Sequence, residues 1–337
     1  MTAVSIAGMG RALPAAVSQQ ELWDGYFRQH VDSVGFGERI FANSGVVRRH
    51  AALNPLVEDV SKWSTGQRMS RYLAEAVPLG STAVSAALAD AGIAASEVGL
   101  FAVASCTGYV SPGVDVHVAA DLGMPVDLRR LVFGHMGCYA AIPALGAVSD
   151  YVAARGRPAV LLNVEITSLH VQPSLSRDQI VAHALFSDAA VATVLTPGRG
   201  LEVVDLVALT DPGTLDHMTW DITDLGFRMG LSPKVPDVLA VHLRPAVEEL
   251  LRRNGVSSVA GWAVHPGGPR ILETVEDVLG LPSDALDASR AVLAEHGNCS
   301  SATVLLVLQR LLPVDGPIVL LAFGPGLTLY ALLLRRQ

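Results

Sequence analysis

Cys138, His265 and Asn298 are the side chains with which this sequence could make and break a thioester. Cys138 lies in Gly134-His135-Met136-Gly137-Cys138-Tyr139-Ala140-Ala141, His265 in Trp262-Ala263-Val264-His265-Pro266-Gly267-Gly268-Pro269, and Asn298 in Gly297-Asn298-Cys299-Ser300-Ser301. A thiolate accepts an acyl group as a thioester. When a malonyl group then loses carbon dioxide, the enolate left behind needs hydrogen-bond donors, and an imidazole and a carboxamide supply them. No Cys/His spacing suggests zinc, so no metal is expected. The set suits a decarboxylative Claisen condensation.

Each residue has a plainer alternative. Cys138 could be a small buried filler at a helix–sheet junction. His265 could be a core histidine with one backbone partner, and Asn298 the N-cap of the helix that follows it. The glycine frame around Cys138 and the two downstream partners favour chemistry. Cys106, in Ala104-Ser105-Cys106-Thr107-Gly108, and Cys299 lack such a frame. Cys106 is expected to line the pocket and Cys299 to pack at a helix start.

The elements that must position these residues follow from apolar patterning. Arg130 to Phe133 enters Cys138 as a strand and Tyr139 to Arg155 leaves it as a helix, so the thiol is expected near a helix N-terminus, where the dipole favours thiolate. Leu100 to Ala104, Ala159 to Val164, Ala189 to Leu195, Leu201 to Leu209, Val259 to Val264 and Ile318 to Phe323 read as strands. Gly80 to Gly92, Val238 to Asn254, Pro269 to Leu279 and Ser300 to Leu312 read as helices. Strands alternating with helices of this length imply an α/β fold with sheets buried on both faces. Pro197-Gly198-Arg199-Gly200 is the best internal boundary, giving halves at 1–199 and 200–337.

Composition narrows the class. A chain of 337 residues exceeds the usual single-core size, and half of it is hydrophobic. A net charge of −8 argues against nucleic acid as a partner. Three cysteines make a disulfide framework improbable and point to a reducing cytoplasm. The N-terminus lacks a basic region before its apolar residues and does not resemble a signal peptide. The greasiest stretch, Ile318 to Leu334, is broken by Gly324-Pro325-Gly326 and reads as two buried strands joined by a turn, with no membrane span.

At Trp262 to Leu272 (WAVHPGGPRIL), Gly297 to Leu305 (GNCSSATVL) and Phe323 to Thr328 (FGPGLT) the chain resembles the type III polyketide synthases, the chalcone synthase-like members of the thiolase superfamily. Ala184 to Ala190 and Glu165-Ile166-Thr167 add to a resemblance that runs over nearly the whole length. It implies a thiolase-like five-layer αβαβα fold of two similar halves, a homodimer, and an internal site reached by a coenzyme A tunnel. It implies coenzyme A thioesters as substrates and no cofactor. It makes Cys138 the acyl acceptor, activated by His265, with His265 and Asn298 driving decarboxylation of malonyl-CoA. Phe186 would gate the tunnel, and Gly324, Pro325 and Gly326 would line the cyclisation pocket.

Departures from the family pattern bear on specificity. Leu185-Phe186-Ser187-Asp188-Ala189 replaces Leu-Phe-Gly-Asp-Gly, Met229 stands for a second gating phenylalanine, and Trp220 stands where plant enzymes keep a glycine. A flexible thioether suits a featureless acyl chain. The chain is therefore most similar to the bacterial members that make alkylpyrones or alkylresorcinols, with a fatty acyl starter delivered on coenzyme A or an acyl-carrier protein and malonyl-CoA as extender. Thr167 and His170 are expected to face the same cavity as Cys106, Thr107 and Ser300. Ser111 stands where the family often reaches across its dimer. Arg39, Arg48 and Arg49, with Gly267 and Gly268, are candidates to meet coenzyme A, and Lys62 and Arg68 fall in a stretch read as a mobile loop at the tunnel mouth. The rival readings are an initiating ketoacyl-carrier-protein synthase, a papain-like protease sharing the order Cys, His, Asn, and a catalytically silent homologue.

Overall fold

The computed structural model describes residues 3–172, 176–198, 200–312 and 314–336. Among the described residues thirteen strands form: β1 (Val4–Ala12), β2 (Ala16–Ser18), β3 (Arg48–His50), β4 (Leu100–Ser105), β5 (Arg129–Gly134), β6 (Ala159–Glu165), β7 (Ala189–Pro197), β8 (Leu201–Thr210), β9 (Met218–Thr223), β10 (Gly226–Leu231), β11 (Gly261–Val264), β12 (Pro317–Gly324) and β13 (Thr328–Arg336). Nine of them share hydrogen bonds in the order β11-β12-β13-β8-β1-β7-β6-β4-β5. Among the described residues the join between β1 and β8 pairs Ser5 with Glu202 and Ile6 with Leu201.

On either side of that join the pairing repeats. β1–β7 and β7–β6 are antiparallel and β6–β4 parallel; β8–β13 and β13–β12 are antiparallel and β12–β11 parallel. The internal similarity of the halves lies in this topology.

Strand alternation sorts the core into layers, because successive side chains face opposite sides of a sheet. Leu100, Ala102 and Ala104 meet the central helices Ala141–Arg155 and Thr303–Leu311, as do Ile318, Leu320 and Ala322 from the other half. Phe101 and Val103 turn outward to the helix Thr65–Ala91, while Val319, Leu321 and Phe323 turn outward to Val235–Arg253 and Pro269–Leu279. Helix, sheet, paired helices, sheet and helices make the five layers. The helices between the half-sheets begin just past Cys138 and Asn298, which brings both residues to the same inner layer.

Local signals explain the differences from the sequence reading. The helix expected from Gly80 starts at Thr65, because Ser64 and Gln67 form a reciprocal capping box. Arg68 therefore sits in a helix and not in a mobile loop. It is fully buried, donating to the carbonyls of Trp63, Val60, Ser61 and Leu169. Lys62 stays exposed. The segment after Asn298 opens with a single tight turn, Ser300–Ala302, before the helix Thr303–Leu311.

Candidate active site

β5 ends at Gly134, and the chain reverses through His135 and Gly137, both at positive φ (60° and 73°), into a turn over Gly137–Tyr139. A side chain on Gly137 would strike Pro325 at 2.6 Å, and one on Gly324 would strike the Tyr139 ring at 2.7 Å. Gly324-Pro325-Gly326 therefore packs onto the Cys138 turn; Pro325 reaches the cavity, whereas Gly324 and Gly326 are not in its wall.

Cys138 lines a small cavity. Burial pushes its thiol up to about 12, against hydrogen bonds from the Ser300 hydroxyl and the Asn298 carboxamide that lower it. The Glu165 carboxylate raises it further. Desolvation thus outweighs the helix-terminus effect expected from the sequence and favours the thiol form of Cys138.

His265 follows β11, its N–H donating to Leu321 O at 2.8 Å. Burial drives its imidazole down to about 3, and neither ring nitrogen has a hydrogen-bond partner among the described residues. It is a neutral ring with a lone pair and an N–H both unspent. Gly268 adopts φ 154° and ψ 165°, a region essentially reserved for glycine, which turns the chain beside Leu185 into the helix Pro269–Leu279.

Asn298 is held by the backbone on both sides. Its N–H donates to Leu185 O at 2.8 Å, and Ser187 N–H donates to its carbonyl at 2.9 Å, forming a bridge with Phe186. Its Oδ1 accepts from Ser300 N–H at 2.9 Å, which leaves the amide NH₂ as the outward donor. The loops carrying His265 and Asn298 thus both lie along Leu185–Phe186, although neither side chain is in the cavity wall.

Of the residues expected around the pocket, Cys106, Thr107, Thr167, Phe186, Trp220, Met229, Ser300 and Pro325 line it with Cys138. His170 does not. It is buried behind the wall, its Nε2 donating to Thr107 O at 2.7 Å and its Nδ1 accepting from Phe227 N–H, while its ring stacks on Phe227. The segment expected as a strand end is a helical turn, Thr167–His170, and that rotation turns the imidazole away. Ser111 lies on an exposed loop. Arg39 and Arg48 are exposed, but Arg49 is buried, donating to Gln19 Oε1 and to the carbonyls of His183 and Phe186. Its role is to cap the helix ahead of Phe186, not to meet a cofactor phosphate. Gly267 and Gly268 stand in the loop after His265.

Two contributors escaped the sequence reading. Met218 joins Trp220 and Met229 in a β9–β10 hairpin that covers the cavity. Glu165, fully buried, accepts from Cys106 N–H (3.0 Å), Thr107 Oγ1 (2.8 Å) and Ser301 Oγ (2.5 Å), and burial raises its pKa despite these donors. The run of hydroxyls Ser300-Ser301 after Asn298 was the available signal.

Family models for the N-terminal and C-terminal domains of chalcone and stilbene synthases match residues 2–198 and 207–337. The chain belongs to the type III polyketide synthases. A 1,3,6,8-tetrahydroxynaphthalene synthase of Streptomyces peucetius subsp. caesius is 38% identical over 88% of this chain and 82% of its own length. The alpha-pyrone synthesis polyketide synthase-like Pks18 of Mycobacterium tuberculosis is 31% identical over 88% and 81%. The polyketide synthase PKS-I of the brown alga Ectocarpus siliculosus superposes with a TM-score of 0.93 at 28% identity, covering 100% of this chain and 99% of that one. The protein is thus a condensing acyltransferase of thiolase-like fold, and the protease and carrier-protein-synthase readings fall away. No helix among the described residues is long and apolar enough to cross a membrane.

Proposed function

We propose that this polyketide synthase loads a medium-chain fatty acyl group onto Cys138, extends it with a few malonyl units, and closes an alkylpyrone or alkylresorcinol-type ring. The observation that carries this reading is the cavity wall. Met218, Met229, Phe186, Trp220 and Pro325 surround the thiol with apolar, partly flexible surface, and among the described residues the wall holds no Asp, Glu, Lys, Arg or His.

His265 takes the Cys138 proton as the sulfur attacks the starter carbonyl, and coenzyme A leaves as its thiol with that proton. Malonyl-CoA then binds. Its carboxylate departs as carbon dioxide, and the electron pair moves onto the thioester oxygen, where N–H donors of His265 and Asn298 hold it. The enolate carbon attacks the acyl-Cys138 carbonyl and the thiolate leaves, giving a chain two carbons longer on coenzyme A. Cys138 reclaims the chain for the next round. The substrates bring coenzyme A themselves, with Arg39 and Arg48 as exposed cations able to meet its phosphates, and no further cofactor enters this scheme.

A second reading, malonyl-primed aromatic products, draws support from Trp220. Its Nε1–H donates to Cys106 O at 2.8 Å and its ring meets His170 and Phe227 edge-on, which shortens the cavity. The relative whose name specifies a tetrahydroxynaphthalene product points the same way. Product masses from a panel of acyl-CoA starters with malonyl-CoA separate the two. Starter-dependent masses support the alkyl reading; a single starter-independent mass overturns it.

We also propose a cytoplasmic homodimer. β5 is one of the two edge strands of the nine-stranded sheet and exposes Leu131 (43%) and Val132 (64%), with Tyr109 (67%) on the neighbouring loop. A second copy continuing the sheet would cover them. All three cysteines are free, as a reducing compartment keeps them.

A further inference from the structure

Residues of β3, outside the cavity wall that carries Cys138, grip both flanks of the Phe186–Asn298 bridge. On one flank, Arg49 Nη1–H donates to Phe186 O at 2.9 Å and to His183 O, satisfying carbonyls at the end of the helix Arg177–Leu185. On the other, the His50 ring meets the His296 ring, with Nε2 of His50 3.0 Å from Nδ1 of His296. His296 is two residues before Asn298. Between them, Gly297 adopts φ 70° and ψ −169°, which a side chain resists, and a Cβ there would come within 2.9 Å of Ser187 Cβ and 3.4 Å of Arg49 Cβ. The backbone of β3 closes the frame: His50 N–H donates to Ser187 Oγ (2.8 Å) and Asp188 N–H to His50 O (3.0 Å).

Hydrogen-bond logic fixes the tautomers. His50 Nδ1 lies 2.8 Å from Pro14 O, a carbonyl that only accepts, so Nδ1 carries the proton. Nε2 of a neutral His50 is then an acceptor, and His296 Nδ1–H is the donor. Burial lowers both rings' pKa, His296 to about 4, so the pair is neutral under ordinary conditions. Two neutral imidazoles with complementary roles form one directed contact between the N-terminal half and the segment that presents Asn298.

We infer that the His50–His296 contact positions Asn298, so that His50 and His296 are positioning residues for malonyl decarboxylation. Neither touches substrate. The inference rests on Asn298 being the enolate donor, and it predicts a split between the two half-reactions. Acyl loading requires Cys138 and His265, which β3 does not hold. Decarboxylation requires the Asn298 amide, which it does.

The test compares three variants with the wild-type enzyme, reading Cys138 acylation by intact mass and malonyl-CoA decarboxylation by carbon dioxide release. His296→Leu removes the donor and strands His50 Nε2. Its decarboxylation kcat is expected to fall roughly tenfold to a hundredfold, as misplaced groups do, with KM for malonyl-CoA and the loading rate near wild type. His296→Asn places an amide N–H where Nδ1–H was and should recover most of the lost rate. Asn298→Ala is the control for the parent reading. If Asn298→Ala decarboxylates normally, that reading fails. If Asn298→Ala is impaired but His296→Leu is not, or if His296→Leu loses loading and decarboxylation together and His296→Asn restores neither, the positioning role is overturned. Should His296→Leu not fold, His50→Gln takes its place: its Oε1 can accept from His296, and the inference predicts retained decarboxylation where His50→Leu loses it.

Discussion

Burial pushes the Cys138 thiol up to about 12 and the His265 imidazole down to about 3, so desolvation opposes charge on either group. Proton transfer becomes favourable only as the sulfur attacks a carbonyl, when developing charge leaves for the thioester. This separates the duties of the three residues. In the proposed scheme Cys138 and His265 load the chain and Asn298 serves the enolate: its Oδ1 accepts from Ser300 N–H, which leaves the NH₂ to donate. Asn298→Ala is therefore expected to depress malonyl-CoA decarboxylation by ~100- to 1000-fold, the usual loss for one oxyanion donor. Stopped assays of carbon dioxide release check this, and an undiminished rate would remove Asn298 from the mechanism.

At the level of elements, the buried central strands were legible because Leu100–Ser105, Ala159–Glu165, Ala189–Pro197 and Pro317–Gly324 are nearly unbroken apolar runs, and one helix was legible at both ends. Pro269–Leu279 has a proline at its first turn and Gly280 at its end, and it runs over the very residues expected. The helix Thr65–Ala91 extends well ahead of the expected start at Gly80 because Pro78 does not end it and the capping box of Ser64 with Gln67 begins it. His170 was misplaced for a subtler reason: a turn of helix after β6 rotates it off the face that strand alternation assigns. The β9–β10 hairpin was invisible as a lid, since the tertiary contacts of Thr65 with Thr223, Asp224 and Gly226 hold its tip in place. The free edge at β5 carries a prediction of its own. Val132→Glu is expected to shift the protein from dimer to monomer in sedimentation; a wild-type protein that already sediments as a monomer contradicts the dimer.

For the whole molecule, burial has depressed the pKa of five histidines: His50, His170, His183, His265 and His296. Each stays neutral when folded and takes a proton near pH 6.5 when unfolded. Below that pH the unfolded chain binds more protons, so stability rises with pH and is lost as pH falls. Glu165 and Asp188, raised by burial, act with the opposite sign because they take up protons more readily when folded. The histidines outnumber them and titrate nearer neutrality. The melting temperature is expected to decline steadily from about pH 7 to pH 5; a flat or rising profile would mean that these rings are solvated. The layered fold explains why so many are buried: Cys138 and Asn298 sit where the two half-sheets close on a common helical layer, and water is excluded from both sides.

The claim on which all of this depends is that Cys138 alone accepts the acyl chain and does so without Asn298. Intact mass with peptide mapping after exposure to a medium-chain acyl-CoA tests it directly. The account predicts one acyl adduct on Cys138 in the wild-type and Asn298→Ala enzymes and none in Cys138→Ala. An adduct that persists in Cys138→Ala, for instance on neighbouring Cys106, or its loss in Asn298→Ala, would contradict it.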